Sequence, residues 1–252
     1  MSNFFSLSVL ATTLVIATAS LAENKPPVSV MTKAKAPAPQ PQVSLAITKD
    51  NAAKVAHQVW LNETGGDPDA MTSWNASEAF ASLGIGHFIW FPKGLDARFE
   101  ESFPDVIRYL RKHGATLPAW LDRDPVPDCP WQTKAQFDRA FNSPRMRELR
   151  GFLNETMDLQ ARFLVLRLRN ALPRILADVP DKAEHDHVKA QFERVVAASP
   201  DLYPLIDYVN FKGEGVRDSE TFPNKSSGKR QGWGLKQVLL AMAAGPTNRD
   251  HA

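Results

Sequence analysis

Helix-forming patterns dominate the chain after residue 48, and one segment is the exception. Residues 82–91, SLGIGHFIWF, are rich in β-branched and aromatic residues and contain two glycines. Such a run is typical of a short strand or hairpin. The sequence therefore predicts a mainly α fold of the α+β type, a helical domain over 46–245 with a small β wing near residues 80–91. A short tail follows at 246–252.

The predicted helices share an apolar stripe and a recognisable start or end. Thr48, Thr133 and Asp181 each precede one and can accept a backbone N–H with a side-chain oxygen. Pro173 should kink or end the long helix that starts at 143–144, because proline has no N–H to donate. The expected helices cover 50–63, 102 or 104 to 113, a short stretch from 133, 143 to 173, a stretch from 181, 199 to 209 and 234–243.

The first 45 residues have a different composition from the rest of the chain. Residues 1–22 carry no charged side chain and end in Ser20-Leu21-Ala22, which fits the pattern cleaved by signal peptidase. Residues 23–45 hold five of the 19 prolines and few apolar residues, which is typical of an extended linker. We therefore expect a signal peptide, a proline-rich linker and a periplasmic or secreted protein. An uncleaved first segment would instead anchor the protein to a membrane.

The charge is balanced over the expected domain. The chain has 30 Lys and Arg against 28 Asp and Glu, and three lysines against one glutamate in the linker account for the excess. A neutral domain lacks the bulk positive charge with which proteins bind nucleic acids, so we expect no nucleic-acid partner.

The cysteine and histidine residues indicate neither a disulfide nor a metal site. Cys129 is the only cysteine, so it cannot form an intrachain disulfide, and we expect a packed or partly exposed loop residue. An exported chain of this size without disulfides favours a bacterial envelope. The spacing of His185-Asp186-His187 does not fit a helical zinc pair. No cofactor is expected.

Glu63 lies at the predicted end of the first helix, just before Gly65-Gly66. The carbonyl groups at a helix C-terminus carry partial negative charge, and Trp60 supplies an apolar neighbour. Both disfavour an ionised carboxylate, which suits the general acid of a glycosidase. A solvated glutamate at a helix end is the alternative that the spacing leaves open.

Glu63 followed by Ser82-Leu83-Gly84-Ile85-Gly86-His87 resembles the phage-type lysozymes, in which a helix-ending catalytic glutamate precedes a β wing that carries Thr-x-Gly-x-Gly-His. The segment Asn62-Glu63-Thr64-Gly65-Gly66 is also similar to the Glu-Ser-Gly start of soluble lytic transglycosylases and goose-type lysozymes. The resemblance covers about residues 55–92. It implies a lysozyme-like fold and cleavage of the glycan backbone of peptidoglycan.

The resemblance also implies roles for single residues. Glu63 takes the place of the general acid that protonates the glycosidic oxygen. Ser82 stands where the family has threonine, and its hydroxyl could hold a water or a sugar group. His87 stands at the position of a histidine that is mainly structural in the family, and it is also a candidate for substrate binding.

The second carboxylate of the phage-type enzymes has no clean match in this sequence. Asn75 and Glu78 stand nearest to its position, and Asp67 and Asp69 lie earlier. If Glu78 activates water, an inverting hydrolysis follows. If no second carboxylate reaches the substrate, Glu63 acts first as acid and then as base, as in lytic transglycosylases, where a hydroxyl of the sugar attacks and an anhydro product forms.

Aromatic and polar side chains near these motifs are candidates for glycan binding, because aromatic faces stack on sugar rings. Trp74, beside Asn75, is the aromatic residue that we expect to be exposed. A second group of polar and aromatic residues around glycines occupies 207–215 and 231–239 and is similar to a loop that flanks the cleft of transglycosylases. The substrate-binding candidates are Trp74, Asn75, His87, Tyr208, Asn210 and Trp233.

Together these features predict an exported muramidase that acts on peptidoglycan glycan strands. The missing aspartate motivates an alternative, a catalytically inactive lysozyme-like module that binds envelope glycan or a protein partner. An exported helical protein with an unrelated role is the third possibility.

Overall fold

A computed structural model describes residues 48–97, 99–199, 201–223, 228 and 230–243. This part of the chain is mainly helical with small antiparallel sheets, as the sequence predicts. Its helices are α1 (Lys49–Thr64), α2 (Phe103–Lys112), α3 (Lys134–Arg139), α4 (Pro144–Glu155), α5 (Met157–Ala177), α6 (Lys182–Ala198), α7 (Tyr203–Phe211) and α8 (Leu235–Ala241). Its strands are β1 (Thr72–Ser73), β2 (Ala81–Leu83), β3 (Phe88–Trp90), β4 (Thr221–Pro223) and β5 (Arg230–Gly232).

The expected signal peptide, proline-rich linker and C-terminal tail lie outside the described residues. Within the described ranges, no helix is long and apolar enough to cross a membrane.

The β wing is a three-stranded antiparallel sheet in the order β1–β2–β3. Ala81 pairs with Trp90 and Leu83 with Phe88, and all four side chains are buried. The hairpin predicted near 80–91 is therefore confirmed. Strand β1 was not predicted, because two residues are too few to show an alternating pattern.

The wing is anchored in the core by the last residue of β3. Trp90 is fully buried, and its ring lies 4.6 Å from that of Phe103 at the start of α2. Its indole N–H donates to the carbonyl of Pro127 at 2.9 Å. Helix α5 forms the centre of the helical part and packs against α1, α2, α6 and α7. Helices α1 and α7 are thereby both packed on α5, and the buried Phe88 of the wing contacts Phe163 of the same helix.

The long helix predicted from 143 to 173 is in fact two helices, α4 and α5, which meet at Thr156. The Thr156 hydroxyl donates to the carbonyl of Phe152 at 2.8 Å. The Gln160 amide donates to the carbonyl of Leu153 at 2.7 Å. These side chains compete with the helical hydrogen bonds and divide the helix. Pro173 lies inside α5, which continues to Ala177, so it does not end the helix.

Two further differences concern the C-terminal part. Helix α7 starts at Tyr203 rather than at 199, because the Asp201 carboxylate accepts the Tyr203 N–H and Leu202 adopts a left-handed conformation at φ +62°. No strand was predicted in this part of the chain, whereas β4 follows a 3₁₀ turn at Asp218–Glu220 and pairs with β5.

Candidate functional site

A cleft of about 490 Å³ lies beside the β wing and the end of α7. Six of the predicted site residues line it: Trp74, Asn75, Glu78, Ser82, His87 and Asn210. Apolar side chains complete much of the wall, among them Phe80, Ile89, Phe99 and Phe211. Phe99 is 47% exposed, and the sequence analysis did not single it out. The fold thus brings together residues that are up to 138 positions apart, from Ser73 to Phe211.

Glu63 lies in the last turn of α1, as predicted. The helix ends at Gly65, which has a left-handed conformation at φ +63° and donates its N–H to the Leu61 carbonyl. The Glu63 side chain is 24% exposed, and its Oε2 lies 3.6 Å from Nδ1 of His87. Glu63 is not among the residues that line the cleft, and it is connected to the cleft through the His87 ring.

The environment of Glu63 favours its protonated form. Burial raises the pKa of the Glu63 carboxyl, the negative charge of Asp207 raises it further, and the positive charge of Lys212 opposes both. The pKa of His87 is lowered by burial, so its imidazole is neutral at pH 7. Both shifts favour a protonated carboxyl beside a neutral imidazole, and a protonated Glu63 has a proton to donate.

The Gly84–His87 turn is held by a contact with the junction of α4 and α5. The buried Gln160 side chain accepts the N–H of Ile85 at 3.0 Å, and Ile85 is itself fully buried. Gly84 has φ +69°, and a Cβ atom on it would clash with Gln160 Oε1. Gly84 is therefore required by close packing as well as by the turn, whereas Gly86 is required by packing, because a Cβ atom on it would clash with the Phe88 ring.

His87 has φ +46°, which is unusual for a residue with a side chain. Its N–H donates to the Gly84 carbonyl at 3.2 Å, and its ring meets the ring of Phe211 edge to face at 5.9 Å. Such a conformation persists only where the surroundings hold it, and it occurs often at functional sites.

Helix α7 brings Asp207 and Tyr203, which were not predicted from the sequence, to the end of α1. The Tyr203 hydroxyl donates to the Asp207 carboxylate at 3.1 Å and accepts a hydrogen bond from the Asn62 amide. Asn62 directly precedes Glu63. The contact between α1 and α7 joins distant parts of the chain, so it could not be predicted from the sequence. The sequence shows only that Tyr203 and Asp207, four positions apart, lie on one face of a helix.

The remaining wing residues of the cleft have defined partners. The exposure predicted for Trp74 is wrong, because its side chain is 6% exposed and packs against Phe137. Its indole N–H donates to the Glu78 carbonyl at 2.9 Å, which holds the Glu78 backbone at the cleft. Burial raises the pKa of the Glu78 carboxyl. Asn75 Oδ1 accepts the Ser77 N–H and hydroxyl at 3.1 and 3.0 Å.

Asp67 and Asp69, the earlier candidates for a second carboxylate, have structural contacts. Asp67 Oδ1 accepts the Asp69 N–H at 2.9 Å and caps the 3₁₀ turn Pro68–Met71. Asp69 pairs with Arg150 of α4 at 3.0 Å. Glu78 is therefore the one acidic residue among those that line the cleft in the described part of the chain.

Tyr208 and Trp233, both predicted to bind substrate, are not among the residues that line the cleft. Tyr208 packs against the core, and its carbonyl accepts the N–H groups of Lys212 and Gly213. Trp233 is 47% exposed and follows β5, where its N–H donates to the Glu220 carbonyl at 2.8 Å. Neither position supports direct contact with a ligand in the cleft.

Among the residues that the structure covers, no cluster of three or more His, Cys, Asp or Glu could hold a metal ion. Comparison of the chain with models of protein families, with curated proteins and with solved structures gave no match.

Proposed function

We propose that this protein is a lysozyme-like enzyme that cleaves the glycan strands of bacterial peptidoglycan, with Glu63 as its general acid. The observation that carries the proposal is the position of Glu63. The Glu63 carboxyl, at the end of α1 and 24% exposed, lies 3.6 Å from His87 of the SLGIGH turn, and His87 lines a cleft of polar and aromatic groups. The three-stranded wing directly after α1, within a mainly helical chain, supports a lysozyme-like fold.

In the first step Glu63 donates its proton to the glycosidic oxygen, and the bond between that oxygen and the anomeric carbon breaks. A carboxyl with an ordinary pKa is almost fully ionised at neutral pH and has no proton to give. Burial and Asp207 raise the pKa of Glu63, which keeps a larger fraction of the protein in the reactive form.

The second step has two forms, which depend on Glu78. In hydrolysis, the Glu78 carboxylate takes a proton from a water molecule that attacks the anomeric carbon, and a reducing end results. In transglycosylation, a hydroxyl of the same sugar attacks the anomeric carbon, the Glu63 carboxylate takes the proton of that hydroxyl, and an anhydro end results. Glu78 lines the cleft and therefore supports the hydrolytic form.

The composition of the cleft suits a neutral sugar chain. Phe99 presents a half-exposed ring that contacts Phe80 edge to face at 5.6 Å. Asn75, Ser82 and the Glu78 carboxyl supply polar groups beside it. Aromatic rings next to hydrogen-bonding groups can receive the apolar and polar sides of a pyranose ring. An envelope location, periplasmic or secreted, is part of the same proposal and rests on residues 1–45.

The test compares the wild type with Glu63→Gln on purified peptidoglycan labelled with a dye. We expect dye release by the wild type and a loss of at least about a hundredfold in Glu63→Gln, because the amide has no acidic proton. Glu155→Gln is the matched control, since Glu155 is an exposed glutamate at the end of α4 with the same neighbours, Asn and Thr. Equal release by Glu63→Gln, with both variants folded, would contradict the proposal.

A binding module without activity is the second candidate, and the observation behind it is that Glu63 does not line the cleft itself. Co-sedimentation with insoluble peptidoglycan separates the two functions. A binding module predicts that the wild type and Glu63→Gln both sediment with the polymer and that neither releases dye.

A further inference from the structure

We propose that Asn210 and Arg167 are positioning residues that hold the His87 turn against Glu63, rather than groups that contact the glycan. This inference rests on the proposed function and assigns Asn210 a role different from the one expected from the sequence. It depends on a chain of contacts that runs from α5 through the end of α7 to the β wing.

Asn210, on α7, joins α5 to the β wing through the two polar atoms of its side-chain amide. Its Nδ2 donates to the Gly86 carbonyl at 3.0 Å, and its Oδ1 accepts from Arg167 Nη1 at 2.8 Å. A guanidinium can only donate hydrogen bonds, so Arg167 selects the amide oxygen. The amide nitrogen is thereby directed to Gly86, and the orientation of Asn210 is determined.

The bond to Gly86 acts on His87 because the two residues share a peptide group. Fixing the Gly86 carbonyl fixes the plane of that peptide and supports the φ of +46° at His87. Phe211, the next residue after Asn210, contacts the His87 ring from the same element. Two successive residues at the end of α7 thus hold the backbone and the ring of His87.

His87 in turn brings its Nδ1 to 3.6 Å from Oε2 of Glu63. A shift of the turn would move the imidazole away from the carboxyl and change the shape of the cleft, since Gly86, His87 and Asn210 all line it. Errors of about 1 Å in such an arrangement can reduce a rate about a hundredfold.

Three variants and a control test the proposal on soluble glycan strands. Asn210→Asp keeps an acceptor for Arg167 but cannot donate to Gly86, Arg167→Met removes the donor to Asn210, and Arg167→Lys retains one. Arg169→Met is the control, because Arg169 is an exposed arginine on the same helix.

We expect kcat to fall between about tenfold and about a hundredfold in Asn210→Asp and Arg167→Met, with KM nearly unchanged. Arg167→Lys should recover most of the activity, and Arg169→Met should equal the wild type. A rise in KM alone in Asn210→Asp, or a wild-type kcat in Arg167→Met, would overturn the proposal, because a substrate-binding Asn210 does not need Arg167.

The nuclear Overhauser contact between the His87 and Phe211 rings tests the positioning without any enzymatic activity. We expect this contact to be lost or weakened in Asn210→Asp and Arg167→Met and kept in Arg169→Met. An unchanged contact in the first two variants overturns the positioning role. An inactive wild type whose variants lose the contact contradicts the proposed function and leaves the positioning role supported.

Discussion

Three neighbours from different parts of the chain, together with burial, determine the environment of the Glu63 carboxyl. His87 comes from the wing, Asp207 and Lys212 from α7 and the residue after it, and burial from the end of α1 itself. The two charged residues act on the Glu63 carboxyl in opposite directions. The charge state of Glu63 can therefore be changed in either direction without touching Glu63.

The pH dependence of activity should move in opposite directions when these two charges are removed. With Glu63 as the proposed general acid, activity is expected to fall as the pH rises through the pKa of its carboxyl. Asp207→Asn removes a negative charge and lowers this pKa, which moves the alkaline limb of the pH–rate profile to lower pH. Lys212→Met raises the pKa and moves the limb to higher pH. Shifts in the same direction would contradict the assigned electrostatics.

Gly84→Ala should destabilise the protein more than Gly114→Ala. Both glycines have positive φ, +69° and +86°, so alanine costs about 1 kcal/mol at each through backbone strain. At Gly84 the new methyl also meets Gln160 and Phe88, whereas Gly114 has no atom within 4 Å. We expect an additional loss of about 1–3 kcal/mol for Gly84→Ala. Urea unfolding measures both variants, and equal losses would show that Gln160 does not restrict the turn.

At the scale of single residues, the sequence supported the positions that a local motif determines. Glu63 at a helix end and His87 after a glycine turn follow from neighbours in the chain. The exposure of Trp74 could not be predicted correctly, because its burial depends on Phe137, 63 positions away. Asp207 could not be found for the same reason, since its distance to Glu63 depends on how α7 packs.

The secondary-structure elements are joined by a few buried polar contacts, and Arg150 makes several of them. This α4 residue is 7% exposed, and its guanidinium donates to the Thr72 hydroxyl at 3.1 Å and to the Phe141 carbonyl at 3.1 Å. It also pairs with Asp69 at 3.0 Å. Arg150 thereby connects α4 to β1 and to the 3₁₀ turn that precedes the wing.

Arg150→Met should reduce the free energy of unfolding by about 2 kcal/mol, because the buried Thr72 hydroxyl and the Phe141 carbonyl lose their partner. Arg147→Met, on the exposed side of the same helix, should stay within about 0.5 kcal/mol of the wild type. Guanidinium-chloride unfolding of the two variants gives the comparison. A similar, small effect for both would mean that Arg150 contributes no more than a surface arginine.

Elements with their own capping signals could be predicted closely, as for α1, where the Thr48 hydroxyl accepts the Asn51 N–H at 3.1 Å. The division of the long helix at Thr156 could not be predicted, because it depends on the Gln160 side chain and on the contact of that side chain with the wing turn. The short strands β1, β4 and β5 form through pairing with distant partners and leave too little pattern in the sequence.

At the scale of the whole molecule, the wing and the helices share one hydrophobic core. Cys129 lies in this core and can report on whether the core is intact. Its side chain is fully buried, and its N–H donates to the Phe91 carbonyl at 2.8 Å, directly after β3. Burial raises the pKa of the Cys129 thiol to about 12. The thiolate is the reactive form, so the folded protein offers almost none of it.

Cys129 should therefore react with a thiol reagent at pH 8 only when the protein unfolds. We expect one equivalent of rapid labelling in denaturant and slow labelling in buffer, at a rate that follows global unfolding. Rapid labelling of the native protein would contradict the packing of the 129 loop against the end of β3.

The central claim, that Glu63 cleaves peptidoglycan glycan strands, is tested most directly by mass spectrometry of fragments released from purified sacculi. The wild type and Glu155→Gln should release glycan fragments with one kind of new end, and Glu63→Gln, folded to the same extent, should release essentially none. Reducing ends indicate hydrolysis, whereas anhydro ends indicate transglycosylation. No fragments from a folded wild type, or the same fragments from Glu63→Gln, would contradict the claim.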